Sequence, residues 1–393
     1  VLKLIPIIIY VFTSYIIFLI ANSLYKNKQL SILVAITFYL SPAVSVSSFL
    51  ISTDILLILF WGLSLHCLIK IREKPSLFNF FILGIFLGLA FLSKYAAVYF
   101  YLSLGLLIIL DKKTRDIFFK KKLYFLIFLL TTILVLLPNI FWNISNGWIT
   151  LNHTSENAAL NRANLNILQG VEFILLQFLM VGFIIFLYFL YSFKKIEIKF
   201  ETKFLLCFSA PIFLIILVES ILVRANANWA AVAIPPLLIF LVNHSYAHFK
   251  KIISINNIIN ALFCFILFSL ITISSSLKVF DRINGISSFA NEIKSKIELN
   301  KYLVVDDRLL YSSLRYEYRD EDIILLMPYD VGDVYKNHFQ MSDPLLNTFK
   351  NNFFYLGPVE KIEYLNYDFK TKQIYSDKKL FKRTNINIYE VIF

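Results

Sequence analysis

Ten apolar stretches fill the first 277 residues of this chain and are separated by short polar loops. A helix that crosses a bilayer needs roughly 20 apolar residues, because lipid cannot satisfy exposed backbone groups. Hydrophobic residues make up 58% of the chain, against roughly 45–50% in soluble domains. The pattern therefore predicts an α-helical polytopic membrane protein. The predicted spans are residues 4–24, 30–49, 53–71, 77–93, 95–110, 123–142, 168–191, 204–222, 229–245 and 253–277.

Positive charge in the loops orients these spans. If the loops alternate sides from an outer start, 17 Lys and Arg residues fall on one side and 4 on the other. Short cytoplasmic loops are rich in Lys and Arg, so the richer side is the cytoplasm. Ten crossings that start outside also end outside, which predicts that residues 278–393 are extracytoplasmic. The four outer cations are Lys3, Lys94, Arg162 and Arg224.

The net charge of +12 lies entirely in the apolar part of the chain. Residues 1–277 carry 21 basic and 9 acidic side chains, whereas residues 278–393 carry 17 of each. Loop charge of this kind directs membrane insertion and does not indicate a nucleic acid partner. The three cysteines lie singly in apolar stretches, and the histidines lack a second set of metal ligands nearby. We therefore expect no disulfide, metal or cofactor.

The stretch 77–110 is 34 residues long and contains one charge, Lys94. As a single helix it would be about 51 Å long, too long for a hydrocarbon core of about 30 Å. One crossing here would also turn the six cations of residues 111–122 outward. We therefore predict two short helices with Lys94 at their outer turn. Gly84 and Gly88 share one face of the first helix and permit close helix packing.

Residues 278–393 are polar and long enough for a small soluble domain. Their apolar pattern predicts an α/β fold, so the expected domains are 1–277 in the membrane and 278–393 outside it. The predicted helices are Ile283–Leu299 and Leu309–Tyr318. The predicted strands are Tyr302–Val305, Ile323–Met327, Phe353–Leu356, Ile362–Leu365 and Ile386–Ile392.

Charged residues near the outer face are functional candidates because charge at membrane depth is expensive. Lys and Arg there suit an anionic phosphate. Each candidate also has a structural interpretation: Lys94 as a rim lysine, Arg162 as a loop cation and Arg224 as a partner of Glu219. Asp54 could instead cap the helix that it opens. Glu172 could make a polar contact between helices, and Trp142 and Trp148 could anchor the interface.

Several of these segments resemble one family of enzymes. Ser41-Pro42, Thr53-Asp54 and Trp61 carry the resemblance, together with residues 84–95, 138–153, 169–177 and 224–235. In order and spacing they are similar to the family 39 membrane glycosyltransferases of the GT-C class. That family includes proteins like the dolichyl-phosphate-mannose protein mannosyltransferases and the RgtA/B/C/D-like enzymes.

The resemblance implies an inverting transfer of sugar from a polyprenyl-phosphate donor to an acceptor outside the cytoplasm. The acceptor class would be a cell-envelope glycan, a lipid or a protein. The departing lipid phosphate needs fixed cations, and the resemblance assigns Lys94 and Arg162 to it, with Arg224 as a third candidate. The catalytic residue is unknown, and Asp54 is a candidate. The other expected cavity and loop residues are Trp142, Asn143, Trp148, His153, Glu156, Glu172, Asn228 and Trp229.

One feature of the family is missing from the printed sequence. The acidic pair of its first extracytoplasmic loop should precede the helix near Leu4, but that loop and the first helix are absent, so either the chain starts late or it is a remnant. Two alternatives to an active transferase therefore stay open: a transporter or flippase of lipid-linked substrates, and a catalytically inactive truncated homologue. The composition is typical of a bacterial protein, so the expected location is the inner membrane.

Overall fold

The structure is a computed structural model that describes residues 4–158, 164–273, 285–297, 302–333, 335–365, 368–377 and 386–393. The chain forms two compact units, Val1–Leu267 and Phe268–Phe393. The domain boundary predicted at 277/278 lies outside the described residues.

The described residues up to 273 are almost entirely helical. Their elements are α1 (Leu4–Tyr25), α2 (Lys28–Tyr39), α3 (Pro42–Ser47), α4 (Thr53–Glu73), α5 (Leu77–Ser93), α6 (Tyr99–Leu110), α7 (Lys112–Lys120), α8 (Lys122–Ser145), α9 (Ile149–Ala158), α10 (Ile167–Val181), α11 (Phe183–Ser192), α12 (Phe200–Cys207), α13 (Ala210–Leu222), α14 (Ile234–His248) and α15 (Lys251–Ile273). The fold class predicted for this part, a polytopic helical membrane protein, is confirmed.

The predicted count of about ten spans is not confirmed. Among the described residues, six helical segments are long and apolar enough to cross a membrane, or eight if two bent pairs count as spans. The predicted span 30–49 shows why: α2 ends at Tyr39, and Pro42 starts the separate short helix α3. Proline disfavours helix at the residue before it and suits the first turn of a new one. With 12 residues, α2 is only about 18 Å long, short of the hydrocarbon thickness.

The break predicted at Lys94 is confirmed. Helix α5 ends at Ser93, Lys94 has an extended backbone, and a 3-10 turn over Tyr95–Val98 leads into α6. An extended residue cannot continue the helical hydrogen bonds, so α5 ends here. Adjacent side chains of an extended segment point in opposite directions. Lys94 and Tyr95 can therefore reach different neighbours.

Helices α5 and α8 pack closely because two glycines face α8. A Cβ atom on Gly84 would stand 2.7 Å from the carbonyl oxygen of Phe128, and one on Gly88 would stand 2.6 Å from Cβ of Val135. These distances are far below van der Waals contact, so no larger residue fits without moving a helix. The predicted role of both glycines in helix packing is confirmed.

The second unit is a small α/β domain, as predicted. It comprises α16 (Ile286–Lys296), β1 (Tyr302–Val305), α17 (Arg308–Glu317), β2 (Ile324–Pro328), α18 (Phe339–Ser342), β3 (Pro344–Leu345), β4 (Phe353–Leu356), β5 (Lys370–Asp377) and β6 (Ile386–Ile392). The sheet order is β3-β2-β1-β4-β6-β5. Strands β1 to β4 pair in parallel, and β6 pairs antiparallel with both β4 and β5.

The strand predicted over Ile362–Leu365 is wrong, since Val359–Ile362 forms a 3-10 turn. Ile362 and Leu365 are both buried in the core beside the sheet. Their spacing of three residues suits one face of a helical turn, whereas one face of a strand repeats every second residue. Strand β5 was not predicted because its sequence is polar, as in many edge strands.

Candidate functional site

Lys94 reaches from the break between α5 and α6 to the start of α4. Its Nζ atom lies 2.7 Å from Oδ1 of Asp54, in an ion pair between residues 40 positions apart. Asp54 lies within the first turn of α4, and Ser52 precedes that helix in the N-cap position. The capping role considered for Asp54 is therefore wrong: its carboxylate faces Lys94.

The other oxygen of Asp54 is bound from a third part of the chain. Asn228 donates from Nδ2 to Oδ2 of Asp54 at 2.7 Å. Asn228 lies in a 3-10 segment, Ala227–Ala233, and Gln177 of α10 donates to the carbonyl of Ala227 at 2.9 Å. Both carboxylate oxygens are therefore satisfied, as burial of a charge requires. We name Asp54, Lys94 and Asn228 the Lys94 cluster.

Exposure differs between the two charges of the Lys94 cluster. The side chain of Asp54 is 10% exposed and that of Lys94 is 29% exposed. Behind Asp54 is a cavity of about 50 Å³, lined in part by Tyr10, Ser47 and Met180. That volume holds a water but no sugar ring. The cavity therefore has no room for a donor, and the accessible parts of this cluster are Lys94 and the exposed Asn228.

Tyr95 anchors the other side of the break. Its hydroxyl donates to Oδ1 of Asn139 at 3.0 Å and shares a 2.8 Å hydrogen bond with the hydroxyl of Thr150. The Thr150 hydroxyl also donates to Oδ1 of the buried Asn143. Helices α8 and α9 are thus bound to the residue next to Lys94.

The turn between α8 and α9 has an unusual backbone. Gly147 and Trp148 both have positive φ angles, 64° and 58°. Such an angle is rare for a bulky residue, and it places about 1 kcal/mol or more of strain at Trp148. A hydrogen bond from the Trp148 N–H to the carbonyl of Asn143 holds the turn at 2.8 Å. The strained turn leaves Trp142 and Trp148 each 43% exposed.

Among the described side chains, those of Arg224 and Glu172 form no hydrogen bond or ion pair with the Lys94 cluster. Arg224 is exposed and forms no ion pair with Glu219 or any other described residue. Glu172 is exposed on α10, and Trp229 is half-buried beside Asn228. Arg162 lies outside the described residues, as do the side chains of His153 and Glu156 in α9.

Sequence reasoning missed the hydrogen-bonding roles of Tyr95, Asn139 and Thr150. A signal was present for one pair, because Asn139 and Asn143 are four residues apart and share a face of α8. Two amides on one face of an apolar helix indicate an inward polar contact. Their partner, Tyr95, is 44 positions from Asn139, and this distance in sequence carried no signal.

Comparison with known proteins supports the resemblance. Residues 1–142, which include Asp54 and Lys94, match the family model described as dolichyl-phosphate-mannose-protein mannosyltransferase. Over 244 residues the chain is 30% identical to the lipid A galacturonosyltransferase RgtD of Rhizobium johnstonii. That match covers 60% of this chain and 50% of the relative. The chain thus spans about half the length of this curated relative.

The fold matches the crystal structure of ArnT from Cupriavidus metallidurans bound to undecaprenyl phosphate. The TM-score is 0.63 at 12% sequence identity, and the match covers 98% of this chain and 83% of ArnT. The resemblance to family 39 of the GT-C class is confirmed. The match to the mannosyltransferase family model ends at residue 142, so Lys94 and Asp54 lie inside it and Asn228 lies beyond it.

Proposed function

We propose that this chain transfers a sugar from a polyprenyl-phosphate donor to an acceptor outside the cytoplasm, with inversion at the sugar. The observation that carries the proposal is the Lys94 cluster: a cation fixed at a helix break, next to the strained Trp148 turn. A preorganised, partly exposed cation stabilises the negative charge that develops on a departing phosphate. The family match and the ArnT fold support a lipid-linked donor.

In this mechanism Lys94 binds the phosphate of the donor. Before the donor arrives, Asp54 neutralises Lys94 and holds its ammonium group at the break. The donor phosphate approaches the exposed side of Lys94 and competes with Asp54 for the ammonium. Since a lysine ammonium has three donor hydrogens, it can contact both anions at once.

The first role of Asp54 in this mechanism is to position Lys94, and a role as general base comes second. A general base needs an oxygen lone pair within hydrogen-bond distance of the acceptor hydroxyl. Each oxygen of Asp54 already accepts one hydrogen bond, from Lys94 or from Asn228, and keeps a second lone pair. Asp54 becomes more available to the acceptor hydroxyl when Lys94 shifts toward the donor phosphate. Arg162 and Arg224 stay proposed as further phosphate ligands.

The first acceptor to examine is lipid A, since RgtD is named for transfer to lipid A. The corresponding donor is a polyprenyl-phosphate galacturonic acid. Both the sugar and the acceptor are proposals for this chain. The transfer side is proposed to be extracytoplasmic, which agrees with the predicted outer position of Lys94.

The test is transfer of sugar from a set of polyprenyl-phosphate sugars to lipid A, measured by the mass increase of the lipid. We expect Lys94→Gln to lower kcat/KM about tenfold or more, because a charge-assisted contact contributes about 1.5–3 kcal/mol. Lys94→Arg should retain part of the activity. The control is Lys26→Gln, which removes an exposed lysine paired with Glu73.

Two results would contradict the proposal. One is full activity of Lys94→Gln in protein that elutes as a single species. The other is movement of the donor across the membrane without transfer of the sugar, which would favour a flippase.

A further inference from the structure

A short basic helix follows α6 at the face predicted to be cytoplasmic. Helix α7 is bent by 109° from the segment Tyr95–Leu110. Because α6 belongs to an apolar span, a helix at this angle runs nearly in the plane of the membrane. It belongs to the unit that carries the membrane spans.

The bend is held by charge and by apolar packing. Arg72 of α4 donates to both oxygens of Asp111, at 3.0 and 3.3 Å, and Asp111 accepts from the backbone N–H of Thr114 in the first turn of α7. On the buried face, the ring of Phe118 packs against Phe80 and Phe125 at 5.3 and 5.6 Å. The ion pair at the start of α7 and the aromatic packing of its buried face thus fix its orientation.

The opposite face of α7 borders a shallow cavity of about 460 Å³. Its lining residues are Pro75, Lys112, Lys113, Asp116, Ile117, Lys120 and Lys121. The residues of α7 in this set are one, three or four positions apart, so they lie on one side of the helix. Four lysine side chains therefore line one cavity.

These four lysines have no anionic partner among the described residues. None of Lys112, Lys113, Lys120 and Lys121 forms an ion pair there, in contrast to Arg72 with Asp111 at the same bend. Asp116 is the single acidic residue in the cavity lining, which leaves a local excess of three positive charges. This excess of positive charge attracts anions to the surface of α7.

Apolar side chains flank the basic cavity. Phe119 and Leu123 are each 63% exposed. On the helix wheel Phe119 lies about 20° from Lys112, as a separation of seven residues dictates. An in-plane helix with lysines on its polar face and exposed aromatic and aliphatic residues beside them is typical of binding at a bilayer interface.

We propose that this cavity is a binding site for the headgroup of an anionic phospholipid of the same leaflet. The phosphodiester would lie among Lys112, Lys113, Lys120 and Lys121, with an acyl chain along Phe119 and Leu123. The ligand is a lipid because the cations and the exposed apolar side chains meet at one place. The site is separate from the Lys94 cluster, since Lys94 and the α7 cations are at opposite ends of α6.

The test measures lipid binding to the purified full-length chain. Phosphatidylglycerol or phosphatidylcholine is added to protein in neutral detergent, and bound lipid is counted by native mass spectrometry. We expect the wild type to retain phosphatidylglycerol in preference to phosphatidylcholine. A variant with Lys112→Gln, Lys113→Gln, Lys120→Gln and Lys121→Gln should lose about tenfold or more in affinity, because each lysine near a bilayer surface adds attraction to anionic lipid.

The chain offers a matched control with the same loss of charge. Lys194→Gln, Lys195→Gln, Lys250→Gln and Lys251→Gln together remove four lysines from the same predicted face, and this variant should bind phosphatidylglycerol like the wild type. Equal losses in both variants would show diffuse charge attraction and overturn the site. Displacement of the lipid by millimolar inorganic phosphate would show a site for free phosphate, which also overturns the proposal.

A smaller change keeps the test decisive if the fourfold variant does not fold. Lys112→Gln with Lys113→Gln, and Lys120→Gln with Lys121→Gln, are then measured as two separate proteins. Each should lose part of the preference for phosphatidylglycerol. If both keep the full preference, the proposal is wrong.

Discussion

At the scale of single residues, the Lys94 cluster joins three distant positions around one carboxylate. Lys94 is 40 positions and Asn228 is 174 positions from Asp54 in the sequence. Because Asp54 is nearly buried, its charge depends on both partners. The two charged residues should therefore act as one unit in transfer and in stability.

We expect the losses caused by Asp54→Asn and Lys94→Gln to be non-additive. If Asp54 acts by positioning Lys94, Asp54→Asn raises the KM for the donor. In a protein that already carries Lys94→Gln, Asp54→Asn should lower the transfer activity little further. The measurement is donor-dependent transfer by the wild type, the two single variants and the double variant. Asp54→Glu should recover part of the donor affinity. Fully additive losses would show that the two residues act separately.

The sequence predicted the place of Lys94 but not its partner. A single charge within 34 apolar residues is enough to locate a turn, because a span of that length exceeds the bilayer. Asp54 was a candidate from its position at a predicted helix start, which also suited a helix cap. The choice between these roles depends on how α4 and α5 pack, and a local pattern does not contain that information.

At the scale of elements, the break at Lys94 is held through the packing of α5 against α8. Gly84 and Gly88 let these helices touch, and Tyr95, at the start of the 3-10 turn after α5, binds Asn139 of α8. The glycine pair was readable from the sequence as a small-residue pattern. The strained Trp148 turn that follows α8 was not, since positive φ at tryptophan contradicts its local preference.

We expect Gly84→Ala and Gly88→Ala each to destabilise the protein by about 1–3 kcal/mol, the usual cost of overpacking a close contact. Gly105→Ala is the matched control, because no atom lies within 4 Å of its added Cβ. It should be neutral or slightly stabilising, as alanine favours helix over glycine. Thermal unfolding in detergent compares the three variants, and equal midpoints for all of them would contradict the close packing.

At the scale of the whole molecule, the chain combines a membrane unit with a polar α/β unit. The class of each unit followed from composition and periodicity. The number of spans did not, because helices such as α2 are shorter than the apolar stretch that contains them. In the second unit the apolar strands β1, β4 and β6 were predicted at their observed bounds, whereas the polar edge strand β5 was missed.

The predicted topology places the Lys94 side and residues 278–393 outside the cytoplasm. After replacement of Cys67, Cys207 and Cys264 by Ser, single cysteines are introduced as Asn226→Cys, Asp320→Cys or Lys195→Cys. A membrane-impermeant maleimide should label the first two in cells with a permeabilised outer membrane. Lys195→Cys should react only after lysis. The opposite labelling pattern would reverse the orientation that the loop charges predict.

Lys94 and Tyr95 are consecutive residues bound to separate parts of the membrane unit, the first to α4 and the second to α8 and α9. Only one peptide unit separates the two α-carbons, so a displacement of Tyr95 also moves the backbone from which Lys94 reaches Asp54. Contact of a substrate with the Trp148 turn would thereby change how firmly the ammonium group is held. Recognition of the acceptor and release of the lipid carrier would then be coupled through the segment that contains these two residues.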